Sequence, residues 1–407
     1  MEIVINRSII VRVCLLLLSL IIVVHYSTGV YRHRQHPPVQ SHRDKHESLP
    51  YANITATSDE IPTTTPMESS SDPPHKKVFS VKSPVRHVAF VKVHKAASTS
   101  IQNIFYRYGY NHDLAVVQPR DRTGLPWQQE VTRDKFYPPP PGKAKFDIMC
   151  VHATYSRKTF DQLLPKDSVY VAIVREPFKQ FASSLNYYHR QRVSAIPGPN
   201  PVRSFLENAQ KSSMAKPTAF NTQSRDFGFP ANLLSSSYDK VKFINYLHQL
   251  DNEIDLVMVV ERFDESLILM RRLLNWDLKD IITGKLNSRA MPSRFHFGPT
   301  EEQIFKEIVH YDYALYDFFN KKLEEKIAQA PDFHEELIYF RQLKRKYCSF
   351  CLMNQRNEKD VLWIEKSRWN EKFSVTNRDC KLLFMNERIF SLLLKAKMGH
   401  NEGISRS

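Results

Sequence analysis

The chain has 407 residues, of which 42% are apolar, and its basic residues exceed its acidic ones by enough to give a formal net charge of +15. This apolar content excludes a wholly disordered chain and suffices for one large domain or two smaller ones. The charge indicates either an anionic ligand or a generally basic surface. The sequence shows no zinc-finger spacing, RNA-binding aromatic motif or dominant Lys/Arg block, which argues against a nucleic-acid partner.

The N-terminal segment is apolar from Ile9 to Val24, with one interruption at Arg12. A cleaved signal peptide and a retained signal anchor both have such a run. We favour the anchor because no small-residue cleavage pattern follows Val24. The prediction is a cytosolic tail at residues 1–8, a transmembrane anchor at 9–26 and a luminal body, hence a single-pass type II protein.

A segment without a core follows at residues 27–82, rich in Pro, Ser, Thr and His from His36 onward. Such a composition predicts a disordered stem. The stem contains the sequon Asn53-Ile54-Thr55, so Asn53 is a predicted glycosylation site in the lumen.

From residue 83 the pattern alternates between strands and helices. Short β-branched runs predict strands at Val88–Val91, Asp147–His152, Val169–Val174 and Leu256–Val260. Helical spacing occurs at Ser98–Tyr108, Phe178–Arg190 and Glu265–Leu274. The alternation predicts an α/β domain over residues 83–330 with a mostly parallel central sheet.

The last part of this domain is predicted as a loop from Asn287 to Pro299 and a long helical region from Thr300 to about Ala330. Thr300 and Gln303 have the spacing of a capping box at its start. Residues 331–407 are predicted as a C-terminal helical extension that carries a cluster of cysteines.

That cluster contains Cys348 and Cys351 in a CxxC motif, with Cys380 further on. Half of a zinc site is one interpretation, but a second CxxC is absent. A disulfide from Cys348 or Cys351 to Cys380 is expected if the chain enters the secretory pathway. A redox pair is the third alternative.

The most informative motif is the loop after the first predicted strand, Lys92-Val93-His94-Lys95-Ala96-Ala97-Ser98-Thr99-Ser100. A strand, a turn of small residues and a helix start present backbone N–H groups and a helix dipole to an oxyanion. The lysines add positive charge and the hydroxyls add donors. Because the glycines of a Walker A loop are absent, we expect a phosphate-like ligand other than ATP with magnesium.

A second anion site is predicted where the strand Val169–Val174 ends in Arg175-Glu176-Pro177. Ligands of open parallel sheets bind at the carboxyl ends of strands. Arg175, together with Ser183 on the following helix, would clamp a second phosphate. The alternative is that Arg175 pairs with Glu176 or caps a loop.

The two motifs together resemble those of Golgi carbohydrate sulfotransferases. His94–Ser100 resembles their 5′-phosphosulfate loop, and Val174–Pro177 with Ser183 resembles their 3′-phosphate motif. Phe263–Leu267 and Arg271–Trp276 are similar to the galactose-3-O-sulfotransferase branch, which includes the galactosylceramide sulfotransferase. The resemblance covers about Arg86 to Phe319 and departs at Ala96, where the branch usually has threonine.

This resemblance implies a P-loop-like three-layer α/β fold and a Golgi membrane location. It also implies the co-substrate 3′-phosphoadenosine-5′-phosphosulfate (PAPS), with no metal requirement. The implied reaction is sulfuryl transfer to the 3-hydroxyl of a terminal β-galactose on a glycolipid or glycoprotein. A uronyl 2-O-type glycosaminoglycan sulfotransferase and a non-catalytic binder of anionic glycans remain alternatives. A kinase-like transferase would need the absent glycine loop and carboxylates for magnesium.

The chemistry suggests roles for individual residues. Lys95 would contact the phosphosulfate and stabilise the leaving oxygen. His152, which ends the strand Asp147–His152, is the predicted general base, with His94 as the alternative. The full donor-binding set comprises Lys92, Lys95, Ala96, Ala97, Ser98, Thr99, Ser100, Arg175 and Ser183.

The acceptor side is less defined in the sequence. Asn221 and Gln223 lie in a loop-like region and are predicted to hydrogen-bond sugar hydroxyls, an ordinary loop being the alternative. Tyr187 and Tyr188 are predicted either as core residues or as a surface that stacks on a sugar or on adenine.

Overall fold

A computed structural model of the chain describes residues 83–120, 132–211, 219–230, 234, 239–284, 295–353 and 359–400. The predicted tail, anchor, stem and Asn53 lie outside these residues and stay predictions. Within the described ranges, no helix combines the length and the apolar character that a membrane crossing needs.

The centre of the fold is a parallel sheet of four strands. The strands are β1 (Val88–Val91), β2 (Ile148–Met149), β3 (Val169–Val174) and β4 (Leu256–Val259). They run in the order β2-β1-β3-β4, and every neighbouring pair is parallel. All their residues are buried, as expected of β-branched strands covered on both faces. The prediction of an α/β domain with a parallel central sheet is confirmed.

The second strand is shorter than the predicted Asp147–His152. Asp147 precedes the strand: its carbonyl accepts from the Val88 amide at 2.9 Å, and its side chain accepts from the amide of Ala115 at 2.6 Å. The chain leaves the sheet after Met149, so His152 follows the strand instead of ending it.

Helices connect and follow the strands. The first group comprises α1 (Ser98–Asn111), α2 (Arg157–Leu163), α3 (Pro177–Tyr188), α4 (Arg190–Ser194), α5 (Pro201–Lys211), α6 (Thr222–Asp226) and α7 (Lys240–Glu253). The second group comprises α8 (Phe263–Leu274), α9 (Pro299–Ile308), α10 (His310–Ala328) and α11 (Phe333–Met353). A short antiparallel ribbon of β5 (Leu362–Ile364) and β6 (Phe373–Val375) precedes α12 (Asn377–Leu383) and α13 (Glu387–Lys397).

The predicted long helix from Thr300 to Ala330 is two helices, α9 and α10, separated at Val309. The predicted capping box is wrong, because α9 begins one residue earlier, at Pro299. Its first turn is closed by Glu301, whose carboxylate accepts a hydrogen bond from the amide of Gly298 at 2.8 Å. The predicted loop before it falls mostly outside the described residues.

Helix α3 is held by a separate apolar cluster rather than by the sheet core. Its phenylalanines Phe178 and Phe181 pack against Phe220 and Phe305, with the rings of Phe181 and Phe305 4.6 Å apart. This packing fixes the helix that carries Ser183 and the two tyrosines.

The C-terminal segment packs directly on α1. Asn103 of α1 donates to the carbonyl of Leu382 at 3.1 Å, and the ring of Tyr106 lies 5.5 Å from that of Phe390. A disulfide joins Cys351 to Cys380, which decides between the two pairings left open by the sequence, while Cys348 keeps its thiol. The helix that begins at the anion loop is therefore braced by the end of the chain.

Candidate functional site

The loop between β1 and α1 has an unusual backbone. Lys95 and Ala97 have left-handed φ values of 59° and 54°, and Ala96 between them does not. Residues other than glycine adopt this conformation at a cost of roughly 1–2 kcal/mol each. Backbones in which left-handed residues alternate with right-handed ones can turn successive N–H groups toward one point and so form a concavity for an anion. The predicted phosphate loop therefore contains two left-handed residues, neither of them glycine, and its contact with an anion stays a prediction.

Three side chains hold this loop by its carbonyl groups. Ser98 Oγ donates to the carbonyl of Val93 at 2.6 Å. Gln180 Nε2 donates to the carbonyl of His94 at 2.8 Å, and Arg175 Nη1 donates to that of Lys95 at 3.0 Å. These bonds offset the strain of the left-handed residues.

The hydrogen bond from Ser98 to Val93 also limits which groups of Ser98 can bind a ligand. Its side chain is buried and its hydroxyl proton is committed to Val93, so only its backbone amide is left for the predicted phosphate contact. Thr99 and Ser100 are partly exposed at the start of α1. Their hydroxyls keep the predicted role.

Lys92 is not on the anion side of the loop. It is 1% exposed, and its Nζ donates to Gln102 Oε1 at 2.7 Å and to Glu387 Oε1 at 2.8 Å. This pairing corrects the prediction that Lys92 adds charge at the donor, because its ammonium is already neutralised by a residue of α13.

Lys95 is the lysine of the loop that stays accessible. Its Nζ lies over the ring of Tyr187, 3.8 Å from the centroid, and 5.9 Å from that of Tyr188. Burial, and then the like charge of Arg175, lower the pKa of Lys95. An anion placed between the two cations would favour the charged ammonium and so oppose the lowering of the pKa.

Arg175 lies directly after β3, at the same sheet edge as the loop. Of the two alternatives, the pairing with Glu176 is not observed, whereas the contact with a loop is, through the bond from Arg175 Nη1 to the Lys95 carbonyl. The Glu176 carboxylate instead caps α3 by accepting from the amides of Phe178 and Lys179, at 3.0 and 2.7 Å. Arg175 Nε is buried and has no hydrogen-bond partner among the described residues. Burial lowers its pKa, and the charges of Glu261 and Glu176 partly oppose this.

Gln223 fixes the backbone of Arg175. Its Oε1 accepts from the Arg175 amide and its Nε2 donates to the Arg175 carbonyl, both at 2.8 Å. Asn221 Oδ1 accepts from the amide of Asp312 at 3.3 Å, and the Asp312 carboxylate accepts from the amide of Gln223 at 3.2 Å. The side chains of Asn221 and Gln223 are both buried. These contacts favour a positioning role over the predicted contact with a sugar.

The two candidate bases are in contact with each other. The rings of His94 and His152 are stacked, with centroids 3.9 Å apart. His152 Nδ1 lies 3.0 Å from the carbonyl of Lys92. Because a carbonyl only accepts, this bond assigns the proton to Nδ1 and leaves Nε2 basic. Burial, then the charges of Lys92 and His94, lower the pKa of His152 well below 6.5.

His94 has an acidic partner that the sequence did not indicate. Asp226 Oδ1 lies 2.8 Å from His94 Nδ1, and Asp226 Oδ2 accepts from the His94 amide at 2.7 Å. The carboxylate is buried at the end of α6. It fixes the ring of His94, and through the stacked pair it supports His152. No local pattern could have shown this, because the two residues are far apart in the chain.

The residues at the carboxyl edge of the sheet can thus receive a ligand with two anionic groups. The loop with Lys95 suits one, and Arg175 with the partly exposed Ser183 on α3 suits the other. The buried, unsatisfied Nε of Arg175 fits such a ligand. A basic imidazole lies next to the first group. Within the described ranges, no cluster of His, Cys, Asp and Glu could hold a metal ion.

Comparisons with known proteins agree with this chemistry. A family model described as galactose-3-O-sulfotransferase matches residues 48–372. Mouse galactose-3-O-sulfotransferase 2 is 29% identical over 67% of this chain and 71% of its own length. Mouse galactose-3-O-sulfotransferase 3 is 32% identical over 60% of this chain and 57% of its own length.

Mouse galactosylceramide sulfotransferase is 28% identical over 51% of this chain and 49% of its own length. The family match extends well beyond the segment Arg86–Phe319 on which the sequence motifs lie; it takes in helix α11 and ends before α12 and α13, which pack on α1. The chain therefore belongs to the galactose-3-O-sulfotransferase family, and it is a sulfotransferase.

Proposed function

We propose that this enzyme transfers a sulfuryl group from PAPS to the 3-hydroxyl of a terminal β-galactose on a glycolipid or glycoprotein glycan. The observation that carries the proposal is the convergence of three groups at one sheet edge. These are the strained loop with Lys95, the guanidinium of Arg175 and the basic Nε2 of His152. The names of the family and its relatives supply galactose as the acceptor.

PAPS, when bound, supplies the sulfuryl group and the phosphate oxygen that leaves. The protein's part is to place and stabilise charge, as in phosphoryl transfer. Lys95 and the loop amides stabilise the negative charge that grows on the leaving oxygen. Arg175 and Ser183 hold the second anionic group of the donor and so fix its register.

The acceptor hydroxyl needs a base to become an effective nucleophile. His152 Nε2 accepts its proton, and the bond from Nδ1 to the Lys92 carbonyl holds the ring in that tautomer. Because the pKa of His152 is lowered, the ring is neutral and ready at neutral pH. His94, bonded to Asp226, is the alternative base.

The test is a transfer assay with the full chain and labelled PAPS. Two acceptors are offered, a terminal β-galactoside and a desulfated uronic-acid glycan. We expect label on the galactoside, lost in Lys95→Met and kept in the matched variant Lys366→Met, whose lysine lies in an exposed ion pair. Label on the uronic-acid glycan alone would refute galactose as the acceptor. A wild-type protein that binds no nucleotide would refute PAPS as the donor.

We also propose that the chain is a single-pass type II protein of the Golgi membrane, anchored by residues 9–26. The disulfide between Cys351 and Cys380 supports an oxidising, secretory compartment. Glycosidase treatment of the expressed protein should increase its gel mobility, and Asn53→Gln should abolish that change. An unmodified Asn53 would contradict luminal exposure of the stem.

A further inference from the structure

Two large aromatic side chains at the end of α3 face solvent. Tyr187 is 69% exposed and Tyr188 is 49% exposed, whereas Phe178 and Phe181 of the same helix are buried. The two tyrosine rings are 4.7 Å apart and nearly perpendicular. Together they form an aromatic corner, which we define as Tyr187 and Tyr188. This excludes the core role that was one prediction from the sequence.

The aromatic corner borders the reacting groups. Tyr187 lies under the ammonium of Lys95, with Nζ 3.8 Å from the ring centroid. The ring of Tyr188 meets that of His94 edge-on at 6.4 Å, and His94 stacks on His152. One side of the corner therefore touches the residue that would stabilise the leaving oxygen. The other side touches the pair of histidines from which a base is drawn.

The position of the aromatic corner distinguishes between the two ligands that could stack on it, adenine and a sugar. In PAPS the ribose and the 5′-phosphate stand between adenine and the transferred group. A ring in contact with Lys95 and beside the histidines is therefore at the sulfuryl end of the donor. The acceptor hydroxyl must reach this same point for in-line transfer.

We propose that Tyr187 and Tyr188 form the platform on which the acceptor sugar stacks. The proposal rests on the proposed function and names the residues that position its acceptor. A pyranose presents C–H groups on its faces and hydroxyls at its rim. Tyrosine matches both, since its ring face is apolar and its hydroxyl is polar.

The hydroxyl of Tyr188 is suited to this contact. Burial of part of the side chain raises its pKa to about 12, so the group stays protonated and can donate to a sugar oxygen. Stacking fixes the plane of the ring sugar, and a hydrogen bond at the rim fixes its rotation. The aromatic corner thereby aligns one hydroxyl with the histidine pair.

The test measures acceptor and donor separately on the full chain. Tyr188→Ala and Tyr187→Ala are compared with Tyr188→Phe and Tyr187→Phe, which keep the rings. Trp363→Ala is the matched control, because Trp363 is an exposed aromatic on β5. Direct binding of methyl β-galactoside is followed by NMR, binding of 3′,5′-adenosine bisphosphate by calorimetry, and kcat and KM by transfer of label.

We expect each alanine variant to raise the acceptor KM and Kd about tenfold, the effect of losing one aromatic contact. The nucleotide Kd should stay within about twofold, as should all constants of Trp363→Ala. Tyr187→Phe should keep most of the affinity for the acceptor, and Tyr188→Phe should lose less than Tyr188→Ala, because it loses the hydrogen bond and keeps the ring. This split between acceptor and nucleotide would not arise from a general loss of structure.

Two results would overturn the proposal. A raised nucleotide Kd with an unchanged acceptor Kd would assign the corner to adenine. Unchanged constants in both alanine variants would show that the rings are not part of the site. Failure of the proposed function gives a different result, because the wild type itself would then transfer no label to the galactoside. The NMR comparison would still measure whether the two tyrosines bind the sugar.

Discussion

The ion pair of Lys92, which is buried, and Glu387, which is partly exposed, tests whether the end of the chain supports the anion loop. Lys92 comes directly after β1, and Glu387 begins α13. Glu387→Gln keeps the size of the side chain and removes its charge. The ammonium of Lys92, 1% exposed, then has neutral amide acceptors such as Gln102 but no carboxylate to balance its charge.

The expected cost follows from the burial of the two partners. Removing one partner of a fully buried pair costs about 3–5 kcal/mol, whereas an exposed pair contributes about 0–1 kcal/mol. Glu387 is 45% exposed, so water screens part of the interaction. We expect Glu387→Gln to lower the free energy of unfolding by about 2 kcal/mol. The pKa of Lys92, already lowered by burial, should fall further.

The assay is urea unfolding of the full chain. Glu371→Gln is the matched control, because Glu371 pairs with Lys366 at the same 2.8 Å distance but both are exposed. It should change the free energy of unfolding by less than about 0.5 kcal/mol. A double change, Lys92→Met with Glu387→Gln, should regain much of the loss. Equal, small effects of the two glutamine variants would refute the reasoning.

Three further outcomes are expected. Asp226→Asn should lower kcat of transfer about 10- to 100-fold with little change in acceptor KM, because the neutral side-chain amide of asparagine no longer fixes the ring of His94. An unchanged kcat would exclude this positioning role. Cys380→Ser should lower the free energy of unfolding by about 3 kcal/mol, as should reduction of the wild type, while Cys348→Ser should leave it unchanged. Since the lowered pKa of His152 keeps the ring neutral, transfer should decline only well below pH 6.5, where protonation removes the base; an acidic limb at pH 6.5 or above would contradict this.

Local patterns in the sequence were enough to find the frame of the site. The bounds of β1 and β3 agree with the prediction, because short apolar runs with β-branched residues, bounded by polar ones, are typical of buried parallel strands. The loop after β1 and Arg175 after β3 then had to meet, since parallel strands share one carboxyl edge. The positions of Lys95, Arg175 and His152 near one another follow from that rule.

What the sequence left open was the partner and direction of each side chain. Lys92 and Lys95 are three residues apart, yet one is paired inside with Glu387 and the other lies on Tyr187. Asp226 binds His94 across 132 residues of chain, and Gln223 holds the backbone of Arg175.

The partner of each of these side chains depends on which distant segments of the chain pack together, because hydrogen bonds and burial arise from contacts that form only in the folded protein. The sequence by itself determined the sheet, its functional edge and the type of chemistry. Only the tertiary structure decided which cation is accessible, which histidine nitrogen is basic and which aromatic rings face solvent.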